Sequence, residues 1–381
     1  MNGRRAPAAI ALALALSACT LSTEQPTLRP TTPVVLTGWE TVDLPGGLIP
    51  ATVGSVGGDV LVAGSVGAGA DRAPALARGS ADDSSPDWQP VPLQPTTPYG
   101  KVASLASLAG DGRSVIALGA AHGGAHANFR WTVWDGTSAG LVDRPQAFET
   151  FGGQEAGSLL GVVRDGNGPL IVGTWAGAHG LDGALWRTEG HRWIRQPTPA
   201  ALANTADRQV APRTAVGQPD GTVTIDGSVI DLSDGVRQSA AVWQGSGTDW
   251  RLSLLPDPGQ RSEAWSTACA EPVSAECWTV GSREGAVTVW SDGARASLPE
   301  LPVGDADTGV ITRHDDRVVA AVSTNGQGRL LVGHGDAWRL YTAPDGVVRA
   351  AALVGTRMYL VSGPGGSAAL SVRDLADVLS S

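Results

Sequence analysis

Beyond its first 34 residues the chain is a succession of short apolar runs rich in Val, Ile, Leu and Trp, each stopped by Gly, Asp or Pro. No stretch sustains a helical period. Short runs between turn residues are the pattern of an all-β protein made of many short strands. The runs also come in a fixed order. One element is a hairpin: an apolar strand, a polar turn, then an apolar strand that ends near a Gly. It occurs at residues 52–65, 104–120, 158–174, 213–228, 265–282, 309–324 and 351–363. Its turns carry Gly-Asp, Asp-Gly, Pro-Asp-Gly or His-Asp-Asp, residues suited to tight reversals. A second element follows the hairpin: a strand often ending in Trp, a Gly turn and a last strand, as in GALWRTEGHRWIRQP at 183–197. Trp134, Trp186, Trp243 and Trp290 hold equivalent places, 52, 57 and 47 residues apart.

Four strands returning at such a period predict the blades of a β-propeller. A blade is apolar on both faces, so only stacking and ring closure bury it. Seven hairpins predict seven four-stranded blades. The last unit, from about Val347, supplies three strands before the chain runs out. At the other end, VLTGWETVDLP at 35–45 reads as a last strand without a hairpin, with Trp39 in the place of Trp193 or Trp250. This N-terminal strand is expected to complete the seventh blade. The expected organisation is a signal segment at 1–18, a tether at 19–34 and a propeller at 35–381.

The leading residues change the picture from fold to location. Arg4 and Arg5 precede an apolar run at 6–18, which has the length of a signal-peptide core and is too short to span a bilayer. The run closes on Leu16-Ser17-Ala18-Cys19, which resembles the lipobox of bacterial lipoproteins. The resemblance implies cleavage before Cys19 and lipid on its sulfur. It also implies anchoring to the outer face of the cytoplasmic membrane. Residues 20–33, rich in Thr and Pro, read as a solvated tether. Lys101 is the single lysine, and Ala, Gly and Val dominate, a usage that matches GC-rich coding such as that of actinobacteria.

Charge excludes two classes of partner. The formal net charge is −10. Loss of Arg4 and Arg5 with the signal segment leaves 25 basic residues against the 37 acidic ones, near −12. No Lys/Arg cluster remains to meet nucleic-acid phosphates, or anionic lipid through the folded surface. Cys269 and Cys277 are close in sequence in an exported chain and are expected to form a disulfide that pins the first hairpin of blade five.

Candidate chemistry is sparse. The Gly-x-x-Trp turns at Gly190/Trp193, Gly247/Trp250 and Gly335/Trp338 resemble the Asp-box of sialidase-type propellers, but Thr188, Gly245 and Gly333 stand where the Asp belongs. The resemblance implies a fold, and the motif itself lies away from the catalytic face. A sialidase-like site needs several arginines and a Tyr–Glu pair. Of the three tyrosines, Tyr359 is expected in the core, Tyr341 follows an outer-strand Trp, and Tyr99 begins a blade where it can face the central opening. His122 and His126 have metal-ligand spacing but lie in a Gly-rich loop, without the helix that would aim them together. His179 occupies the corresponding loop of the next blade. Asp82, Asp83, Asp305 and Asp307 read as solvated turn residues. No nucleophile elbow, phosphate loop or dinucleotide fingerprint is present. Trp131 and Trp175 fall outside the repeated Trp places and are expected as surface aromatics. Tyr99, His122, His126, Trp131, Trp175 and His179 are therefore the candidate binding residues, with no catalytic residue, metal or cofactor expected. The expected function is a membrane-anchored binding or scaffold module for an envelope protein or glycan. The alternatives are an envelope glycan hydrolase or lyase, and an assembly or signalling partner of a membrane complex. Carboxylates and arginines converging in the central opening would favour the enzyme. An aromatic-edged patch on one face would favour a binding partner.

Overall fold

The structure is a computed structural model. It describes residues 32–380 except 82, 84, 85, 124–127, 271–275, 292, 336 and 365. The signal segment, Cys19, the tether up to residue 31, Asp82 and His126 lie outside the described residues.

Seven antiparallel sheets succeed one another along the chain. Blades one to six span residues 49–90, 104–143, 156–195, 208–254, 262–295 and 309–342, each with four consecutive strands; blade two gains a short parallel fifth strand, Leu93–Gln94. Blade seven takes three strands from 348–374 and its fourth from the N-terminus, where Glu40 pairs with Val372 and Thr41 with Ser371. The expected closure is therefore present. It also begins earlier than residue 35, because Val34 forms a parallel bridge to Tyr341 of blade six. First strands of successive blades touch each other, and that of blade seven touches that of blade one, which makes them the inner ring.

The second strands are the most deeply buried. Val60, Leu61, Val62 and Ala63 are all fully enclosed. Packing on both blade faces explains why these runs read as continuously apolar rather than alternating. The repeated tryptophans lie in the third strands and are also buried. Trp186, Trp243 and Trp290 donate their indole N–H to the carbonyls of Thr150, Ala201 and Pro256. Each of those carbonyls belongs to the connector arriving from the preceding blade. The rings fill space between blades while satisfying a polar atom that burial would otherwise strand.

The Gly that ends each hairpin has a specific cause. The first strands of blades one to five and seven carry a β-bulge, at or beside Ala51, Ala106, Leu160, Arg213, Trp265 and Arg349. In blades one to five a second-strand glycine faces the bulge: Gly64, Gly119, Gly173, Gly227 and Gly281. A Cβ on Gly227 would lie 2.2 Å from the Ala211 carbonyl oxygen, and one on Gly281 would lie 2.0 Å from that of Glu263. Gly227→Ala is expected to destabilise the protein by roughly 1–3 kcal/mol, because backbone cannot move aside as a side chain can. Gly54→Ala, with nothing within 4 Å of its Cβ, is the control. Equal urea midpoints for the two variants would remove this account of the repeat.

Cys269 and Cys277 form the expected disulfide, closing the first hairpin of blade five with a Cα–Cα distance of 4.0 Å. The one-turn helices α1 (Phe148–Phe151) and α2 (Ala376–Leu379) are the only α-helices among the described residues. No helix among them is long and apolar enough to cross a membrane.

Candidate functional site

Antiparallel order gives the ring two faces. One carries the turns between strands one and two and between strands three and four. The other carries the turns between strands two and three. In blade two the third strand, Asn128–Thr137, is ten residues long, but the fourth, Gly140–Asp143, covers only Trp134–Thr137. Among the described residues no strand pairs with the outer edge of residues 129–132. The Arg144 N–H donates to the Val133 carbonyl, so the backbone of Val133 faces that outer edge. By strand alternation the N–H and C=O of Phe129 and Trp131 face it as well. The connector at 144–155, with α1, stands opposite, and a cleft of about 410 Å³ lies between.

The cleft is aromatic with two arginines, of which Arg144 is paired with Asp135. Phe129 and Phe148 are about half exposed, at 50% and 51%. The His122 ring lies 4.4 Å from that of Phe129, which lies 5.5 Å from that of Trp131. The Arg130 guanidinium sits 4.8 Å from the Phe148 centroid and 6.0 Å from that of Tyr99, within cation–π range of both. It makes no ion pair with any described residue. Below it, the buried Asp143 carboxylate accepts from the Thr96 and Thr97 N–H groups and the Thr97 hydroxyl, which fixes the approach to Tyr99.

Of the six candidate residues, the structure brings together Tyr99, His122 and Trp131. The expectations for Tyr99, His122 and Trp175 need adjustment. Tyr99 does not face the central opening: it lies in the connector between blades one and two, with its ring against Gly123. His122 is not in a loop but near the end of a second strand, Val115–Gly123, paired with Phe129. Trp175 is not a surface aromatic. It is 8% exposed, packs edge-on against Trp186 at 6.0 Å, and donates its N–H to Glu155. His179 is exposed in the corresponding turn of blade three and does not join the cleft. Phe129, Phe148 and Arg130 were missed. A signal for them existed: the chain has three phenylalanines, and all three line this cleft.

A second cavity, about 550 Å³ and polar, lies among blades four to six, lined by Arg213, Glu263, Asp305 and Asp307. Arg261 lines it as well, and of these five charged side chains Arg213, Glu263 and Asp307 are engaged with one another or with backbone. Arg213 pairs with Glu263, which also accepts from the Trp265 indole. Asp307 is not a solvated turn residue: it is buried, and its carboxylate accepts from the backbone N–H groups of Gly304, Asn325 and Gly326. Burial pushes its pKa up, but those donors outweigh burial and hold the carboxyl below its ordinary range. Between blades four and five, Asp226 is fully enclosed and accepts from the Thr267 hydroxyl. There burial prevails and raises its pKa to about 7. Among the described residues no group of three His, Cys, Asp or Glu is placed to hold a metal ion.

The Gly-x-x-Trp turns lie on the face opposite the turns between strands two and three. Gly190, Gly247 and Gly335 have φ of +65°, +58° and +55°, the left-handed conformation that the turn requires. Trp250 and Trp338 fold back so that their indoles donate to the carbonyls of Gly247 and Gly335. Gly245 and Gly333, where an Asp-box would place Asp, lie against these rings; a Cβ there would approach Trp Cδ2 to 2.7 and 2.6 Å. At these two places the facing backbone carbonyls of Asp249 and Ala337, at 2.2 and 2.6 Å, also leave no room for a Cβ, so the turns serve to close their blades.

No family model matches the chain, and no curated protein matches it. Solved structures do. The β-propeller domain of the Trilobed protease from Pyrococcus furiosus is similar over 86% of this chain and 95% of its own, at 10% identity and a TM-score of 0.50. Sqt1 from Chaetomium thermophilum is similar over 88% of this chain and all of its own, at 12% identity and a TM-score of 0.50. A sialidase from Trypanosoma rangeli is similar over 91% of this chain and 61% of its own, at 9% identity and a TM-score of 0.46. At these identities the likeness is one of fold: the chain is a seven-bladed β-propeller.

Proposed function

We propose that this propeller is a non-catalytic binding or scaffold module. A lipid on Cys19 holds it on the outer face of the cytoplasmic membrane, and the cleft between blades two and three holds an envelope protein or glycan. The observation that carries the binding reading is the exposure of Phe129 and Phe148 beside Arg130, which lies over the Phe148 ring and makes no ion pair among the described residues. Half-exposed aromatic rings in a concave site lose water on binding, and a cation over their faces adds direction. The anchor rests on Leu16-Ser17-Ala18-Cys19.

The test is a photo-crosslinking residue placed in living cells at Phe148, with Asp220 as control. Asp220 is exposed in a turn between strands one and two, on the ring face away from the turns between strands two and three. A specific adduct from Phe148 and none from Asp220 is the expected result. Cys19→Ser is expected to move the protein out of the membrane fraction. Repeated absence of any adduct at Phe148, together with turnover of a glycan panel by the purified chain, would instead support a hydrolase or lyase working from the polar cavity around Arg213 and Glu263.

A further inference from the structure

The cleft is bounded on one side by a strand edge that no other described strand covers. Outside its pairing with the second strand, the stretch 129–132 receives no backbone hydrogen bond from the fourth strand or the connector among the described residues. In the same blade the short strand Leu93–Gln94 lies beyond the fourth strand, pairing with Leu141 and Val142, so it does not shield this edge. Blade six shows the contrast: its fourth strand, Ala337–Thr342, pairs along Arg329–His334 and leaves little of the third strand open, whereas blade three, whose fourth strand pairs only with Trp186–Glu189, shares the short fourth strand but not the half-exposed phenylalanines. Open edges are normally shortened or covered, because their N–H and C=O groups invite another strand. Here the edge instead faces a cleft lined by half-exposed rings.

Resting on the binding reading above, we infer that the occupant of this cleft is an extended peptide segment of a partner protein. It adds as a strand to the Phe129–Trp131 edge and sets an Asp or Glu carboxylate against Arg130. The backbone groups of Phe129 and Trp131 supply main-chain hydrogen bonds that do not depend on the partner's sequence. The rings of Tyr99, Phe129 and Phe148 select a large apolar side chain on the segment. Arg130, without an ion pair among the described residues in a chain of net charge −10, selects the acidic one through a charge-assisted hydrogen bond. A neutral glycan would use the rings but leave the guanidinium unanswered. An acidic glycan would answer the guanidinium but has no alternating amide pattern to match the edge.

The experiment pans a displayed library of short random linear peptides against the purified chain. It then measures binding of synthetic versions of the enriched sequences. Enriched peptides are expected to share one acidic and one large apolar residue. Arg130→Gln should weaken them roughly tenfold or more. Replacing the peptide's acid with its amide should weaken binding equally to the parent chain and add nothing further in Arg130→Gln. N-methylation of alternate peptide amides should abolish binding in one register and spare it in the other, because only every second N–H faces the edge. Peptides indifferent to Arg130→Gln and to methylation would overturn the inference. So would enrichment of nothing while a polyuronate oligosaccharide binds; a glycan adduct at Phe148 would then leave the binding module standing without a peptide. A concentration-dependent dimer appearing on Arg130→Gln would also overturn it, by showing that the arginine guards the edge rather than reading a ligand.

Discussion

Deletion of residues 33–45 is expected to remove most of the protein's stability, although it takes away only two residues of regular strand. The segment closes the ring in two places. Val34 exchanges backbone hydrogen bonds with Leu340 and Thr342 on the edge of blade six, and the Leu36 N–H donates to the Thr342 hydroxyl. Glu40 and Thr41 then complete blade seven, and Val42 bonds to Leu370. Leu36 packs with Tyr341, Leu330 and Val378, and Val42 and Leu44 pack against the cluster that joins blades seven and one. Full burial of an aliphatic side chain contributes about 1.5–3 kcal/mol, so losing the buried Leu36 with the partly buried Val42, Leu44 and Trp39 amounts to roughly 4–7 kcal/mol. That is a large part of the stability of a typical domain. The melting temperature of the deletion variant should fall steeply, whereas deletion of residues 20–31 should leave it unchanged. A synthetic peptide of residues 33–45 should raise it again in proportion to its concentration, as any ligand of the folded state does. A deletion variant that melts with the parent would show that the ring does not depend on this closure.

The second large effect is one of pH. Asp226 sits in the second strand of blade four with one carboxylate oxygen bonded to Thr267 and the other without a protein partner. Burial raises its pKa from 3.8 to about 7. The folded state therefore holds a proton that the unfolded chain has released above about pH 4. Stability falls wherever the folded state binds more protons, so it should decline as pH rises from about 4 to about 7 and level off above. A shift of this size corresponds to roughly 4 kcal/mol. Asp226→Asn keeps an acceptor for Thr267 and has no charge to desolvate. It should match the parent near pH 4, exceed it by a few kcal/mol at pH 8, and lack the decline between. Several other carboxylates act in the opposite sense. Asp307 and Asp165 have lowered values and contribute stability that is lost in acid. The difference between parent and variant, from urea midpoints at pH 5 and pH 8, isolates Asp226. Equal losses in the two proteins over that interval would show that the carboxyl is not held neutral.

Asp226 could have been found in the sequence. It occupies the place just before the hairpin glycine, where the other blades have Ala63, Leu118, Val172 and Val280, all buried. Aligning the repeats exposes one acid in an apolar column. The three phenylalanines offered a similar cue, three instances of one residue type gathered at 129–151. Trp131 and Trp175 offered none. They lie near strand ends in adjacent blades, yet one borders the aromatic cleft and the other is buried under Glu155, Trp186 and the guanidinium of Arg195.

Strand number, blade count, ring closure and the disulfide follow from the sequence alone. Every blade imposes similar burial and turns on the chain, and all but blade six impose the same bulge, so a constraint repeated around the ring leaves a period. The cleft does not repeat. It depends on a fourth strand that stops short, on a connector that lands opposite it, and on Arg130 reaching between rings from two different connectors. Those are contacts between segments about 20–50 residues apart. No local pattern encodes them, so only the tertiary structure decides which aromatic residues meet a ligand and which hold the blades together.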